Sequence, residues 1–254
     1  MMNKYVVVWL RMASASVQAA LTHRIGGGLF LLGKLLRFIL FILFLMVIYQ
    51  RMQSLAGYSF EQILTFFLVF NLLDLFGQIF FRGIYWFRNQ VISGDLDFIL
   101  VQPMNALFRV LTQHTDILDL PLLIIVVVML WMQPLDLSVI SGLMFLSGVI
   151  IITAIHIAVA ALGVMTTEVD HTIMIYRDIS QMARFPIDIY ADWIRAVLTF
   201  AIPVAVAFTF PAKAMLGLMS WQGVVGSMTV AVVSFGLAVK LWQYSLKQYA
   251  SASS

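Results

Sequence analysis

The chain contains no cysteine. That absence excludes disulfide bridges, zinc–thiolate sites and thioether attachment of haem. Charge is also scarce: Asp, Glu, Lys and Arg make up 11% of the 254 residues, and the net charge is only +3. So small an excess reads as membrane topology and not as a nucleic-acid-binding surface. Residues 1–11 show no small-residue cleavage site after an apolar core, so no cleavable leader is expected. Apolar residues fill the space instead, at 62% of the chain, with a mean hydropathy of +0.99. A soluble domain of this length cannot hide that much apolar surface. Apolar runs of about 20 residues are the unit that crosses a bilayer. The expected fold is an all-α polytopic membrane protein with six transmembrane helices, forming one domain over 1–254.

Residues 4–24 carry Lys4, Arg11, His23 and Arg24 among apolar residues, the pattern of an amphipathic helix lying along the cytosolic surface. Gly26, Gly27 and Gly28 are expected to let the chain bend into the first span, 31–50, whose Lys34 and Arg37 are expected to snorkel to the headgroups. Residues 51–59 read as an external loop, 60–81 as the second span and 115–132 as the third. Asp116 and Asp119 sit at the third span's inner end. An outer turn at 133–136 leads to the fourth span, 138–164. Its His156 reads as a hydrogen-bonded packing residue. The sixth span covers 221–243. Gly223, Ser227 and Ala231 recur every fourth residue there, a small-residue face suited to close packing, and Lys240, Trp242 and Tyr244 are expected to anchor the inner end.

The fifth span has two readings. In the second span, Asn71, Asp74, Gln78 and Arg82 fall on one helical stripe. In residues 168–188, Asp170, Arg177, Asp178, Gln181, Arg184 and Asp188 also gather on one side of a helical wheel. At 1.5 Å per residue that segment is long enough to span ~30 Å of hydrocarbon, so it reads as a polar-striped fifth span. Charged groups facing lipid are costly, so such stripes should face protein, water or a pathway, with Arg177 able to pair with Asp74. The alternative keeps 168–188 in the cytosol and makes 193–212 the fifth span. In the six-span layout Lys4, Arg11, Arg24, Lys34, Arg37, Arg82, Arg88, Arg109, Lys240 and Lys247 lie inside, against Arg51, Arg195 and Lys213 outside. That bias places both termini in the cytosol.

Catalytic motifs are thin. Gly28 to Lys34 nearly spells a phosphate-binding loop, but no Ser or Thr follows to hold magnesium and no strand precedes it. Glu168 and His171 form a single Glu-x-x-His, where a di-metal bundle needs two. The chain is therefore not expected to be an enzyme or to hold a cofactor or metal. The methionines read as core filler.

The most informative stretch joins the second and third spans. Ser93-Gly94 signals a turn, Asp95-Leu96-Asp97-Phe98-Ile99-Leu100 a short amphipathic helix, Gln102-Pro103 its end, and Asn105 the start of a helix carrying Arg109. Asp95 and Asp97 fall in the first turn, where the helix dipole favours negative charge. Residues 93–108 resemble the segment after the second span in permeases of the type-2 (ABC-2-like) ABC transporter superfamily, although Gln102 stands where a basic residue is common. Arg184-Phe185-Pro186-Ile187-Asp188-Ile189-Tyr190, Trp193, Leu198 through Pro203 and Pro211-Ala212 resemble the uncharacterised two-permease branch of that superfamily.

The resemblance implies that 93–102 is a coupling helix docking into an ABC ATPase subunit dimer, which binds ATP and Mg in place of this chain. It implies short re-entrant helices over 189–213, between the fifth and sixth spans, with Pro186, Pro203 and Pro211 marking breaks. It further implies pairing with a second permease chain, as a homodimer or heterodimer, in a bacterial-type cytoplasmic membrane, and export by alternating access. An ATP-independent secondary transporter or channel, with the stripes as an ion path, is the alternative.

Overall fold

The computed structural model describes residues 2–22, 24–52, 54–166 and 169–249. Twelve α-helices carry the architecture among these residues: α1 (Met2–Thr22), α2 (Arg24–Met52), α3 (Phe60–Phe81), α4 (Ile84–Ser93), α5 (Asp95–Leu100), α6 (Ala106–Thr112), α7 (Leu120–Trp131), α8 (Val139–Thr166), α9 (Val169–Gln181), α10 (Asp192–Ala196), α11 (Phe210–Met215) and α12 (Trp221–Gln248). Four runs are long and apolar enough to cross a membrane: Ile25–Met52, Phe60–Ser93, Val139–Thr166 and Trp221–Gln248. Two bent pairs raise the number to six: Ala106–Thr112 with Ile117–Trp131, bent by 52°, and Asp192–Ala201 with Ala205–Met215, bent by 84°. The chain is thus an all-α polytopic membrane protein with four to six apolar spans.

Local chemistry sets the helix ends. Ser59 caps α3 in a reciprocal box: its hydroxyl accepts from the Gln62 amide at 3.3 Å, and the Gln62 side chain accepts from the Ser59 amide at 2.9 Å. Gly94 joins α4 to α5 with φ at 79°, a left-handed conformation that favours glycine. Asn105 caps α6 by accepting from the Phe108 amide at 3.0 Å.

The core lies where α3, α8 and the 205–215 stretch meet. α12 packs along α8; of the small residues read from the sequence as its packing face, Ser227 and Ala231 are buried and Gly223 is half-buried. At Gly148 of α8, a Cβ would come within 2.5 Å of the Ala207 carbonyl oxygen, so only glycine lets the two backbones meet. α2 stands apart, burying little beyond Phe38 and Leu45.

Contacts define two ends of the bundle. At one end the Asp136 amide donates to the Met215 carbonyl at 2.8 Å, and Asp188 contacts both Tyr58 and Lys213. At the other, Lys4 Nζ donates to the Pro103 carbonyl at 2.8 Å and the Asn105 amide donates to the Tyr5 hydroxyl at 3.3 Å. The Thr115 amide donates to Ser16 at 3.3 Å, so α1 runs beside the 103–115 stretch in register.

Several expectations change. Gly26, Gly27 and Gly28 do not bend the chain: they lie inside continuous α2, and α1 ends at Thr22. The apolar run of the third span opens on a 3-10 turn at 117–119 ahead of α7 and is set off by a 52° bend from α6. Trp242 is buried against Phe87 at 6.2 Å, so it packs in the core and does not anchor to headgroups.

The Gly148 contact is testable. Gly148→Ala should cost ~1–3 kcal/mol by forcing two backbones apart. Gly26→Ala, with nothing within 4 Å, should be neutral or add up to ~1 kcal/mol of helix propensity. Thermal unfolding in detergent separates the two; a Gly148→Ala protein melting with the parent would contradict the contact.

Candidate functional site

α2, α3, α7 and α9 line a partly open cavity of about 70 Å³, walled by Lys34, Arg37, Phe38, Phe41, Phe67, Asn71, Asp74, Leu75, Gln78, Leu122, Arg177, Gln181 and Arg184. A second hollow of about 300 Å³ shares Lys34, Arg37, Gln78 and Arg177 and extends past Arg82 to Leu29 and Phe30. Six residues of the two predicted stripes therefore line one cavity: Asn71, Asp74 and Gln78 from α3, and Arg177, Gln181 and Arg184 from α9 and the turn after it. Arg82 joins at the second hollow. Asp178 is exposed and off the cavity. Asp170 begins α9, and its side chain falls outside the described residues.

The α3 stripe is internally bonded. Gln78 donates to Asp74 at 3.1 Å, Arg82 donates to Gln78 at 3.4 Å, and Asn71 donates to the Phe67 carbonyl at 2.7 Å. The expected Asp74–Arg177 ion pair does not form. Arg177 lies over the Tyr85 ring at 5.8 Å, beside Arg82 at 4.5 Å from the same ring. Arg184 lies over Phe41 at 5.1 Å and Phe70 at 5.6 Å. Cation–π contacts of this kind stabilise a guanidinium without neutralising it.

Lys34 and Arg37 do not snorkel. Lys34 pairs with Asp119, which is fully buried, and with Asp116 at 3.5 Å; Arg82 closes on Asp116 at 3.8 Å. Arg37 donates to Gln181 at 3.0 Å. The sequence did carry a signal for the first contact: a cation near the inner end of one span and two carboxylates at the inner end of another.

The ordering of contacts along α3 places the segment after α8. Arg177 sits at the level of Tyr85, Arg184 at the level of Phe70, and Asp188 beside Tyr58. From 177 to 188 the chain therefore runs antiparallel to α3, from one end of the bundle to the other. The Tyr58 hydroxyl donates to Asp188 at 2.8 Å; burial and then that carboxylate push the phenol above its ordinary range, so it stays a donor. Lys213 meets Asp188 at 2.8 Å, holding 188 and 213 at the same end. Between them the chain turns back at Pro203, where the two halves make the 84° bend.

The α5 segment splits into two faces. Leu96 and Ile99 are 0% and 6% exposed, tied into the bundle, whereas Phe98 and Val101 are 70% and 80% exposed. Leu100 is partly exposed. Asp95 accepts from the Ser93 hydroxyl at 2.8 Å, and no side chain caps α5. Asp97 faces Tyr249: burial and then Asp97 push that phenol up.

Of the catalytic motifs weighed, Gly28 to Lys34 lies wholly inside α2, where its amides serve the helix. Glu168 lies outside the described residues. His156 is buried and shares a hydrogen bond with the Ile152 carbonyl at 2.8 Å between Phe81 and Tyr176. Among the described residues, no group of three or more His, Asp and Glu side chains is placed to hold a metal ion.

No curated protein and no solved structure matches the chain. A family model does: residues 35–253, from the middle of α2 past the end of α12, match the one described as ABC-2 family transporter protein. An apolar bundle around a polar cavity, with a short helix presented at one end, is therefore the permease domain of a transporter, and the chain belongs to the ABC-2 family.

Proposed function

We propose that this permease is the membrane half of an exporter that moves substrate by alternating access, driven by ATP hydrolysed in a separate ATPase subunit pair. The observation that carries the reading is α5. Its buried face, Leu96 and Ile99, fixes it to α4 and α6, and its exposed face, Phe98 and Val101, is left for a partner. A push on α5 would pass into α3 through α4 and into α7 through α6, and α3 and α7 are walls of the cavity. The apolar contact with the ATPase is accordingly Phe98 with Val101, and Leu100 at the edge. Leu96 and Ile99 serve as the hinge to the bundle. Asp95 and Asp97 orient the segment.

The membrane topology in this reading puts Tyr58, Asp136, Asp188 and Lys213 outside, and α1, α5 and both termini in the cytosol. Residues 169–188 form the fifth crossing. Its antiparallel course along α3 supports this, as does its polar side facing the cavity and not lipid. Residues 189–213 are re-entrant: the Asp188–Lys213 pair supports a hairpin that returns to the side it left, whereas the ends of a true span would lie ~30 Å apart. Broken backbone at membrane depth is tolerated where protein covers it, and 204–209 is buried. α1 lies along the inner surface. A second permease chain pairs beside α2, whose surface the chain itself leaves largely uncovered, and the pathway runs between the two.

Two outcomes are expected. Phe98→Ala should weaken ATPase docking by ~2 kcal/mol or more, read as lost stimulation of the co-reconstituted ATPase with membrane insertion unchanged. Leu96→Ala should instead destabilise the permease by ~2–5 kcal/mol, because it empties a packed site. Undiminished stimulation by Phe98→Ala would move the docking surface elsewhere.

Topology is read with single cysteines, which the native chain does not confound. A cysteine at Asp192, whose side chain is 96% exposed, should react with an impermeant reagent added outside, and one at Leu100 only after permeabilisation. Reaction at 192 only after permeabilisation would return the fifth crossing to 193–212, and labelling at 100 from outside would overturn the topology itself.

A further inference from the structure

The charges around the cavity do not balance. Four cations line it, Lys34, Arg37, Arg177 and Arg184, against one carboxylate, Asp74. Lys34 is neutralised from behind by Asp119 and Asp116. Among the described residues the three arginines form no ion pair. Arg37 holds a neutral amide, Gln181; Arg177 covers Tyr85; Arg184 covers Phe41 and Phe70. The Arg184 Nε is buried and has no hydrogen-bond partner. A guanidinium fork is shaped for a planar or tetrahedral oxyanion and can bind one with two parallel hydrogen bonds. Three such groups around one hollow at membrane depth leave a charge deficit that an anion would fill.

The surroundings decide which kind of anion fits. At about 70 Å³ the cavity takes an oxyanion group and not a whole lipid, and the adjoining hollow, at about 300 Å³, has room for the rest of a headgroup. Phe38, Phe41 and Leu75 make up much of its apolar wall. The adjoining hollow leads past Leu29 and Phe30, which are themselves exposed on the outer surface of α2. An acyl chain can leave by that route into the membrane while its headgroup stays on the arginines.

We propose that this cavity binds an anionic amphiphile, its phosphate or carboxylate held by Arg37, Arg177 and Arg184 and its chain laid past Leu29 and Phe30. The assignment rests on the transporter reading and gives it a substrate class. It also accounts for uncompensated arginines in a chain with so few charges.

The test uses the full-length permease in detergent, with native mass spectrometry counting retained ligand during titration with phosphatidylglycerol, phosphatidylcholine or inorganic phosphate. Phosphatidylglycerol should bind at least about tenfold more tightly than phosphatidylcholine, and Arg184→Gln and Arg177→Gln should each lose about tenfold, the equivalent of one charge-assisted contact. Arg184→Lys should keep part of the preference, which shows that the fold survives at that position. Lys247→Gln, on the far end of α12, should bind as the parent does. Equal retention of the two lipids, or unchanged phosphatidylglycerol binding in both glutamine variants, would overturn the proposal. Inorganic phosphate binding as tightly as phosphatidylglycerol would overturn the amphiphile and leave a free anion. Stimulation of the ATPase by the parent chain, measured in parallel, separates the two claims: stimulation without lipid preference removes the substrate class and keeps the transporter.

Discussion

A charge inside a bilayer must be paired, hydrated or absent, and this structure is arranged around the few it keeps. Lys34, Asp119, Asp116 and Arg82 form one network that joins α2, the start of α7 and the end of α3. α2 buries little apolar surface, so this network joins the stacks of Phe38 and Phe41 on Phe67, at 5.3 and 4.6 Å, in holding it to the bundle. Removing one partner would leave an uncompensated charge, which costs far more than the intact pair contributes. The same constraint shapes the cavity. The polar stripe of α3 is internally hydrogen-bonded, and the arginines of the 177–184 stretch face it and not lipid.

Much of this was legible in the sequence because it depends on local rules. The bounds of α3 follow from a run of apolar residues. The turn at Gly94 and the cap at Asn105 are short-range chemistry. The stripes at 71–82 and 177–184 follow from helical period alone, although Asp178, grouped with the second by that period, is exposed and off the cavity.

What the sequence hid depends on partners distant in the chain. Lys34 looked like a snorkelling residue because Asp116 and Asp119 lie more than eighty positions away, and only packing selects that pairing over the headgroups. Leu96, Phe98 and Ile99 looked equivalent because a six-residue helix has too few turns to tell its bundle side from its open side. Gly26 to Gly28 looked like a bend, but glycine permits a bend without requiring one. Residues 168–188 and 193–212 could not be told apart because hydropathy sees length and polarity but not a tertiary contact such as Asp188–Lys213.

The central claim is that the polar cavity opens onto the transport pathway and that α5 switches its access. A single cysteine at Asn71, on the cavity wall, reports this directly when the permease is reconstituted with its ATPase. The account predicts labelling by an impermeant thiol reagent from the cytosolic side without ATP, and a switch towards labelling from the outer side when ATP is bound. A cysteine at 71 that reacts equally from one side in both states, or from neither, would contradict it.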